Sequence, residues 1–426
     1  MSSGKKKIVI AAGIRTPFAR AWNELAGLSA IDLGKPVVTG LCDSIDPGNI
    51  DGLIWGNVIQ SIDQTNMARI LSMKSGLDHK IPAYTVSINC ASGMLAVTSA
   101  ADSITLGRAQ VLVAGGSESM SNAYVRYPST FLPLARRIQR SGNVFSKLAS
   151  IMRLRWRDVR PVTPSFRDPI CGLSMGETTE LLAKEYSISR SEQDRFAQGS
   201  QEKAISAQRK GRFKGEITPM AIGKGNKLEK DMVPRSNSTM EKLASLKPIF
   251  DKKKGTVTAG NSSPVTDGAA GMLVMESERA HDLGLKDLVT IKDYHYCGLD
   301  PKRMGLGPAH AVGALLERNK LSPGDFDIFE INEAFAAQVL ASLKALDESR
   351  FCRKELGLAR KVGEIPVEKM NFNGGAIALG HPLGATGSRL IITAARELWR
   401  RKKERALIAM CVSGGLGAGM ILERVD

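Results

Sequence analysis

The sequence predicts a mixed α/β protein of two similar halves, with an extra domain inserted into the first. Three observations carry this reading. Three stretches recur at matching places in the two halves. Short Val/Ile-rich runs alternate with amphipathic stretches, the pattern of strands covered by helices. The chain has 426 residues, which at roughly 100–200 residues per domain is room for two or three domains.

The first element is Ile8 to Ile14, an apolar run after Lys5-Lys6-Lys7. It faintly resembles a signal peptide, but Arg15-Thr16-Pro17 follows with no small-residue cleavage site, and the run is too short to span a membrane. It is expected to be a buried first strand. Ile45-Asp46-Pro47-Gly48-Asn49-Ile50-Asp51-Gly52-Leu53-Ile54-Trp55 matches Leu321-Ser322-Pro323-Gly324-Asp325-Phe326-Asp327-Ile328-Phe329-Glu330-Ile331, each a Pro-Gly loop before a buried strand. Ala83 to Ile88 reads as a further strand, and Ser92 to Leu106 as a helix. Arg108 to Gly116 matches Arg405 to Met410, which runs on into Gly414-Gly415. Ala269 to Glu276 matches Gly417 to Glu423.

In the second copy the Gly-Gly turn leads at once into its return strand. In the first, about 150 residues intervene, a span of domain size. The expected division is 1–121 completed by 252–276, an insert at 122–251, and a second half at 277–426. Two such halves packed about a pseudo-twofold axis would share a site at their junction.

Composition narrows the class. Hydrophobic residues are 43% and charged residues 24%, the balance of a folded globular chain, which excludes disorder, collagen and small disulfide scaffolds. The six cysteines Cys42, Cys90, Cys171, Cys297, Cys352 and Cys411 form no C-x-x-C pair and match no zinc module, so free thiols in a reducing, cytoplasmic setting are expected and no metal site.

The net charge of +16 implies an anionic partner: nucleic acid, an acidic membrane surface or a phosphorylated small molecule. It is unevenly spread. From Arg126 to Arg167 stand ten basic residues and one acid, Asp158, giving +9, interleaved with Leu132, Leu134, Ile138, Phe145, Leu148, Ile151, Met152, Leu154 and Trp156. This fits a basic amphipathic helix or hairpin, or equally a solvated face packed on the domain. No RRM, KH, zinc-finger or P-loop pattern is present, so nucleic acid is not the expected partner.

Four motifs carry candidate chemistry. Asn89-Cys90-Ala91-Ser92-Gly93 turns a strand into a helix, and a thiol at a helix N-terminus is expected to have a lowered pKa. Asn373-Gly374-Gly375 through Gly380-His381-Pro382-Leu383-Gly384-Ala385-Thr386-Gly387 surrounds one histidine with glycine, with Thr386 as a candidate helix cap. Cys411-Val412-Ser413-Gly414-Gly415 places a second thiol and backbone N–H groups at a strand end. Asn332-Glu333-Ala334-Phe335 ends another strand, where Asn332 can hold a water or a substrate carbonyl and Glu333 can orient a neighbour. Each alone reads as turn chemistry. Together, two thiols and an imidazole suit nucleophilic acyl transfer with acid/base help.

On these motifs, with Met175-Gly176-Glu177-Thr178-Thr179-Glu180, Gly260-Asn261-Ser262-Ser263 and Asp267-Gly268-Ala269-Ala270, the sequence resembles the thiolase family over nearly its whole length. The resemblance implies a duplicated five-layer α/β/α/β/α fold with an inserted loop domain. It implies a 3-oxoacyl-CoA thiolase in fatty-acid β-oxidation, with coenzyme A and 3-oxoacyl-CoA as substrates and no cofactor. By the same resemblance Cys90 takes the acyl group, and His381 draws off its proton and then steadies the enolate oxygen beside a water on Asn332. Cys411 protonates the departing enolate, and the backbone N–H groups of Cys90 and Ser413 form an oxyanion hole. Ser263 would touch the pantetheine arm, Met175 and Met304 line the acyl end, and Arg235 meet the nucleotide phosphates.

Ser413 stands where most members have Gly, and Ser174 where short-chain biosynthetic members have His. The latter and the basic insertion resemble the long-chain type that partners a hydratase/dehydrogenase subunit, although subunits of that type often carry His where Asn332 stands. A homodimer or tetramer is implied, with a candidate peripheral contact to acidic membrane through 126–167. Three alternatives remain. One is a short-chain acetyl-CoA acetyltransferase making acetoacetyl-CoA. Another is a decarboxylating condensing enzyme, disfavoured by Cys411. The third is a membrane- or RNA-binding protein acting through the basic insert.

Overall fold

The computed structural model describes residues 6–162, 167–223 and 225–425. Lys5 of the N-terminal basic run and residues 163–166 of the basic segment lie outside the described residues.

The first half runs β1 (Ile8–Arg15), α1 (Ala30–Cys42), β2 (Gly52–Gly56), α2 (Met67–Lys74), β3 (Ala83–Val86), α3 (Ser92–Thr105) and β4 (Val111–Glu118). A long excursion carries α4 (Phe131–Arg140), α5 (Val144–Met152), α6 (Met175–Glu185) and α7 (Arg190–Arg209) before β5 (Thr266–Glu276) returns. The second half runs β6 (Val289–Gly298), α8 (Gly307–Asn319), β7 (Ile328–Ile331), α9 (Ala336–Asp347), α10 (Leu383–Arg401), β8 (Arg405–Val412) and β9 (Leu416–Arg424).

The strands follow the order β7-β8-β9-β6-β1-β5-β4-β2-β3. The seam lies between β1 and β6, which meet only through Val9↔Thr290 and Ile10↔Val289. On each side of it the pairing repeats: two antiparallel steps and then a parallel one, β1-β5-β4-β2 in the first half and β6-β9-β8-β7 in the second. The recurring sequence stretches occupy matching places in this order. Both Pro-Gly loops form single 3-10 turns, at Pro47–Asn49 and Pro323–Asp325, before β2 and β7. A parallel bridge from Phe329 to Met370 repeats the β2–β3 pairing in reduced form.

Alternation along the strands builds the layers, because successive side chains leave opposite faces of a sheet. Val111 and Val113 face α1 and α2, joining Val37, Val38, Leu41 and Leu71. Leu112 and Ala114 face the middle, where Met94, Val97 and Ile104 of α3 meet Leu390, Ile391 and Leu398 of α10. Ile408 and Met410 close that middle cluster from the other side. Leu407 and Ala409 turn outward to Val312 and Leu315 of α8 and Val339 of α9. Three separate hydrophobic clusters between helix and sheet give the five-layer duplicated α/β arrangement. Strands buried on both faces read as near-continuous apolar runs, which is why β4 and β8 were visible in the sequence.

The excursion is anchored to β1 by charge. Arg15, fully buried, bonds Glu216 at 2.6 Å through Nε and Asp231 at 2.6 and 2.9 Å through its two terminal nitrogens. Its backbone also exchanges 2.8 Å hydrogen bonds with Glu216 and Thr218. Removing one partner from such a group strands the other charges in low dielectric. Arg15→Met is therefore expected to lower stability by about 3–5 kcal/mol, measured as the shift in the urea midpoint. A loss under about 1 kcal/mol, the worth of a surface ion pair, would show that water reaches the two carboxylates.

Candidate active site

The turn Ile88–Ser92 is tied down locally. Asn89 takes a left-handed φ of +48°, a conformation Asn tolerates better than most residues because its short polar side chain bonds nearby. Its Nδ2 donates to the Ser413 carbonyl at 2.9 Å, across the junction of the halves. The Ser92 hydroxyl accepts from Ile88 N–H at 2.9 Å and donates to the Asn89 carbonyl at 2.7 Å. Cys90 is thereby held against the β8–β9 turn.

Burial pushes the Cys90 thiol up to about 11, although the N–H groups of Ser413 and of Cys90 itself favour its thiolate. The lowered pKa expected from a helix N-terminus is not what the structure gives. The α3 helix begins at Ser92 with Ala91 as its N-cap, so Cys90 lies outside the first turn and desolvation wins. The two N–H groups nonetheless converge where negative charge would develop. Ser413 serves there without strain, since the left-handed positions of that turn are Gly414 (φ +90°) and Gly415 (φ +76°).

His381 arrives from the other half. Its backbone N–H donates to Thr266 Oγ1 at 2.7 Å, and its Nδ1 lies 2.7 Å from Thr386 Oγ1. The Thr386 hydroxyl donates its one hydrogen to the Pro382 carbonyl at 2.8 Å. It can then only accept from the ring, so Nδ1 carries the proton and Nε2 keeps its lone pair. Thr386 is thus no helix cap. It sits inside the first turn of α10 and fixes the tautomer. Burial, with a smaller push from the Arg389 charge, drives the His381 pKa down to about 3, so the free imidazole is neutral.

Asn332 follows β7 directly, its N–H bonded to the Ala409 carbonyl at 2.9 Å. It is fully buried, its Nδ2 stands 3.4 Å from His381 Nε2, and its Oδ1 has no protein partner. Cys411, also buried, lies among Met304, Ala334, Met175 and Phe335. Burial raises its thiol well above the ordinary range, and charge on Cys90 raises it further. The two sulfurs therefore ionise in alternation rather than together.

The structure thus brings Cys90, Ser413 and Cys411 to one point, sets Asn332 against His381, and places Met175 and Met304 on the apolar side of Cys411. Ser263 lies next to this group through its N–H bond to the Ala334 carbonyl at 2.9 Å. Arg235 is exposed, and its backbone N–H bonds Gln201 Oε1 at 2.8 Å. Ser174, where a histidine distinguishes short-chain relatives, caps α6 in a reciprocal capping box with Glu177.

Two carboxylates position the site: Glu118, which escaped the sequence reading, and Glu333 of the Asn332 motif, which the sequence reading gave an orienting role. Buried Glu118 accepts from Asn57 Nδ2 and from the N–H groups of Val58, Ile59 and Gly384 at 2.9–3.1 Å, so it holds the turn that carries His381. Burial raises its pKa to about 7. Glu333 accepts from Ser200 at 2.6 Å, Asn371 at 2.7 Å and Ile377 N–H at 3.3 Å, clamping the glycine loop ahead of His381. For Glu118 a lone acid at a strand end was the available signal, and it is too common to single it out.

A half-buried thiol beside converging N–H donors, a neutral imidazole with a free Nε2, and a second, buried thiol define an acyl-transfer site on a duplicated α/β fold. Comparison with known proteins gives the same class. Family models for the thiolase N-terminal and C-terminal domains match residues 8–278 and 285–424. The chain belongs to the thiolase family. It is 38% identical over 426 residues to the 3-ketoacyl-CoA thiolase of Colwellia psychrerythraea, covering 99% of this chain and 98% of that one. An Escherichia coli O1:K1 protein of the same name is 39% identical over 421 residues, covering 98% and 97%. The crystal structure of the Bacillus anthracis acetyl-CoA acetyltransferase superposes with a TM-score of 0.84 at 36% identity, with both chains fully covered. Human mitochondrial 3-ketoacyl-CoA thiolase in complex with CoA gives 0.83 at 31%, covering 99% and 98%.

Thr386→Val removes the acceptor that sets the His381 tautomer. It is expected to lower kcat by about 10–100-fold, the scale of losing an orienting partner, with Thr386→Ser restoring most of it. An unchanged kcat in the valine variant would show that the tautomer is set elsewhere. Alkylation of Cys90 in the free enzyme should still be accelerating at pH 10, as its raised pKa requires. A plateau below pH 8 would mean that a thiolate–imidazolium pair exists before substrate binds.

Proposed function

We propose that this enzyme is a 3-oxoacyl-CoA thiolase: it cleaves 3-oxoacyl-CoA with CoA into acetyl-CoA and an acyl-CoA two carbons shorter, as in fatty-acid β-oxidation. The observation that carries the reading is the convergence of Cys90, Cys411 and the Ser413 N–H, with His381 Nε2 unprotonated and facing Asn332.

The steps follow from these positions. His381 Nε2 takes the Cys90 proton as the sulfur attacks the C3 carbonyl, so charge appears only with a partner. The alkoxide is met by the N–H groups of Cys90 and Ser413. The C2–C3 bond breaks, leaving an acyl thioester on Cys90 and an acetyl-CoA enolate, whose oxygen faces imidazolium and Asn332. Cys411 protonates that carbanion at C2 and becomes thiolate. It then deprotonates incoming CoA, which attacks the thioester and releases acyl-CoA, and His381 returns its proton to Cys90.

A 3-oxoacyl-CoA substrate is supported by the names of the sequence relatives, and a longer acyl chain by Ser174, which serves as a helix cap here. Met175 and Met304, flexible apolar side chains, supply the lining a long chain needs. The short-chain reading, acetoacetyl-CoA formation by the same residues, is favoured by the equal resemblance to the acetyl-CoA acetyltransferase structure. A cytoplasmic homo-oligomer fits six free thiols and the outer edge of β3 at the end of the sheet order. A hydratase/dehydrogenase subunit is the candidate partner.

CoA-dependent thiolysis of a 3-oxoacyl-CoA series decides the chain length: rates that rise beyond four carbons support the proposal, and activity confined to acetoacetyl-CoA refutes it. Cys90→Ala should abolish acyl-enzyme formation, and transfer at the normal rate would remove Cys90 from its role. Cys411→Ala should lower turnover about 10²–10⁴-fold, the worth of an acid/base group, while Cys90 still acylates from acyl-CoA. Loss of that acylation would show that the two thiols do not act separately.

A further inference from the structure

A cavity of about 320 Å³ lies along α7, and none of Cys90, His381, Cys411, Met175 or Met304 lines it. Its volume is at the small end of the range for small-molecule sites. The walls are largely apolar: Phe196 of α7, Leu340 of α9, and Val367 and Met370 from the stretch ahead of the glycine loop. At its base sits the clamp of Ser200 with Glu333 and Asn371.

Gly199 is the informative residue. It stands in the middle of a 20-residue helix, where glycine is unfavourable relative to alanine because its unfolded backbone is freer. Neither of the usual reasons for glycine applies. Its φ is not positive, and a Cβ would meet no heavy atom within 4 Å. The space it leaves open is part of the cavity. A residue that weakens its own helix without touching anything keeps room for a ligand that does.

Cations flank that space. Arg195 and Lys203 stand at i−4 and i+4 from Gly199, so all three share one helix face. Arg195 is exposed and makes no hydrogen bond or ion pair among the described residues. Half-buried Lys203 donates to the Met370 carbonyl at 2.8 Å, and an ammonium has further donors to offer. Burial lowers its pKa, a penalty that a neighbouring anion relieves. The acids here are already committed: Glu192 to its capping box and to Lys344 at 3.3 Å, and Glu333 to Ser200, Asn371 and the Ile377 N–H. Two cations with donors to spare, beside two carboxylates already bonded, suit one added negative charge.

We propose that this cavity binds a linear aliphatic monocarboxylate, headgroup between Arg195 and Lys203 and chain on Phe196, Leu340 and Val367, and that occupancy braces the loop carrying His381. A carboxylate matches the guanidinium fork through two parallel hydrogen bonds. A phosphate dianion would face Glu192 and Glu333 with one charge too many. The link to the loop is direct, because Ser200 Oγ accepts the Gly375 N–H at 3.1 Å and Glu333 accepts that of Ile377 at 3.3 Å. A ligand packed over these two side chains holds both bonds closed.

The test is calorimetric titration of the full-length protein with sodium octanoate, where one saturable site per chain is expected. Octanol lacks the charge and inorganic phosphate lacks the chain, so each should bind at least about tenfold more weakly. Gly199→Leu fills the cavity with a better helix former, so it should fold, with an unlowered thermal midpoint, and lose octanoate at least about tenfold. Arg195→Gln, an exposed change, should weaken octanoate about tenfold. Amide exchange over residues 373–380 should slow with octanoate in the native protein and not in Gly199→Leu. Absence of saturable binding overturns the proposal. So does octanoate affinity unchanged in both variants, which would place the acid at the acyl end of the catalytic site. Phosphate binding as tight as octanoate binding would make this a plain anion site and also overturn it. Binding that leaves loop exchange unaltered overturns the brace.

Discussion

Everything at the site depends on one close approach of backbone. The N-terminal ends of α3 and α10 meet in the central layer almost backbone to backbone, and the Ser388 hydroxyl donates to the Gly93 carbonyl at 3.2 Å. A Cβ on Gly93 would stand 2.6 Å from the Gly384 carbonyl oxygen, and one on Gly387 would stand 2.6 Å from the Met94 nitrogen. A Cβ on Gly116, at the end of β4, would approach the Gly384 oxygen to 2.0 Å. No L side chain fits these gaps, so glycine is a packing requirement here. Cys90 lies just ahead of α3 and His381 just ahead of α10. Two elements from different halves thus deliver the Cys90 thiol and the His381 imidazole to the same end of the middle layer. Glu118 completes the junction by accepting the Gly384 N–H together with those of Val58 and Ile59, N–H groups that would otherwise be buried without partners.

The same burial explains why the resting site is electrically quiet. His381 and Cys411 are buried and Cys90 is half-buried, and desolvation displaces each titratable group toward its neutral form: both thiols upward and the imidazole downward. A thiolate or an imidazolium alone would be costly in such surroundings. A pair formed by one proton moving from Cys90 to His381 is not, because each charge then has a partner and the Ser413 N–H is already aimed at the sulfur. Preorganised donors in low dielectric act strongly on charge that develops next to them. Ground-state pKa values far from neutrality are therefore compatible with proton transfer in the reaction, where the acceptor charge and the donor charge arise in the same step.

Much of this was legible in the sequence, for identifiable reasons. Strands covered on both faces are continuous apolar runs, and three of them recur, so the duplication could be read without coordinates. The glycine-rich context of His381 and the strand-end positions of Cys90, Asn332 and Cys411 survive as local patterns. What did not survive is whatever depends on distant partners. The pKa of Cys90 is set by the body closing over it, and the sequence reading gave it the opposite sign from local structure alone. Thr386 looks like a cap until its hydroxyl is seen bridging Pro382 and the His381 ring. In α5 Ser150 is buried while Phe145, Leu148, Ile151 and Met152 are exposed, an orientation that was ambiguous because a helical stripe in the sequence does not say which side faces inward.

The duplication also raises a question that the register answers: why one site and not two. Cys411 pairs with Gly417 as Ser117 pairs with Ala269, so Ser117 stands in the first half where Cys411 stands in the second. Ser117 is fully buried, accepts from Trp55 Nε1 at 2.9 Å and donates to the Ala30 carbonyl at 2.7 Å. That position is spent on joining strand to helix. The two strand ends are also used differently. Between β8 and β9 only Ser413, Gly414 and Gly415 intervene, and any lengthening would displace the Ser413 N–H from Cys90. Between β4 and β5 no such demand exists, so the chain can leave and return. What it brings back is not inert. Met175 packs beside Cys411, and Ser200 holds Glu333 at 2.6 Å. The half that carries serine at that position is the one whose excursion walls and braces the site beside Cys411.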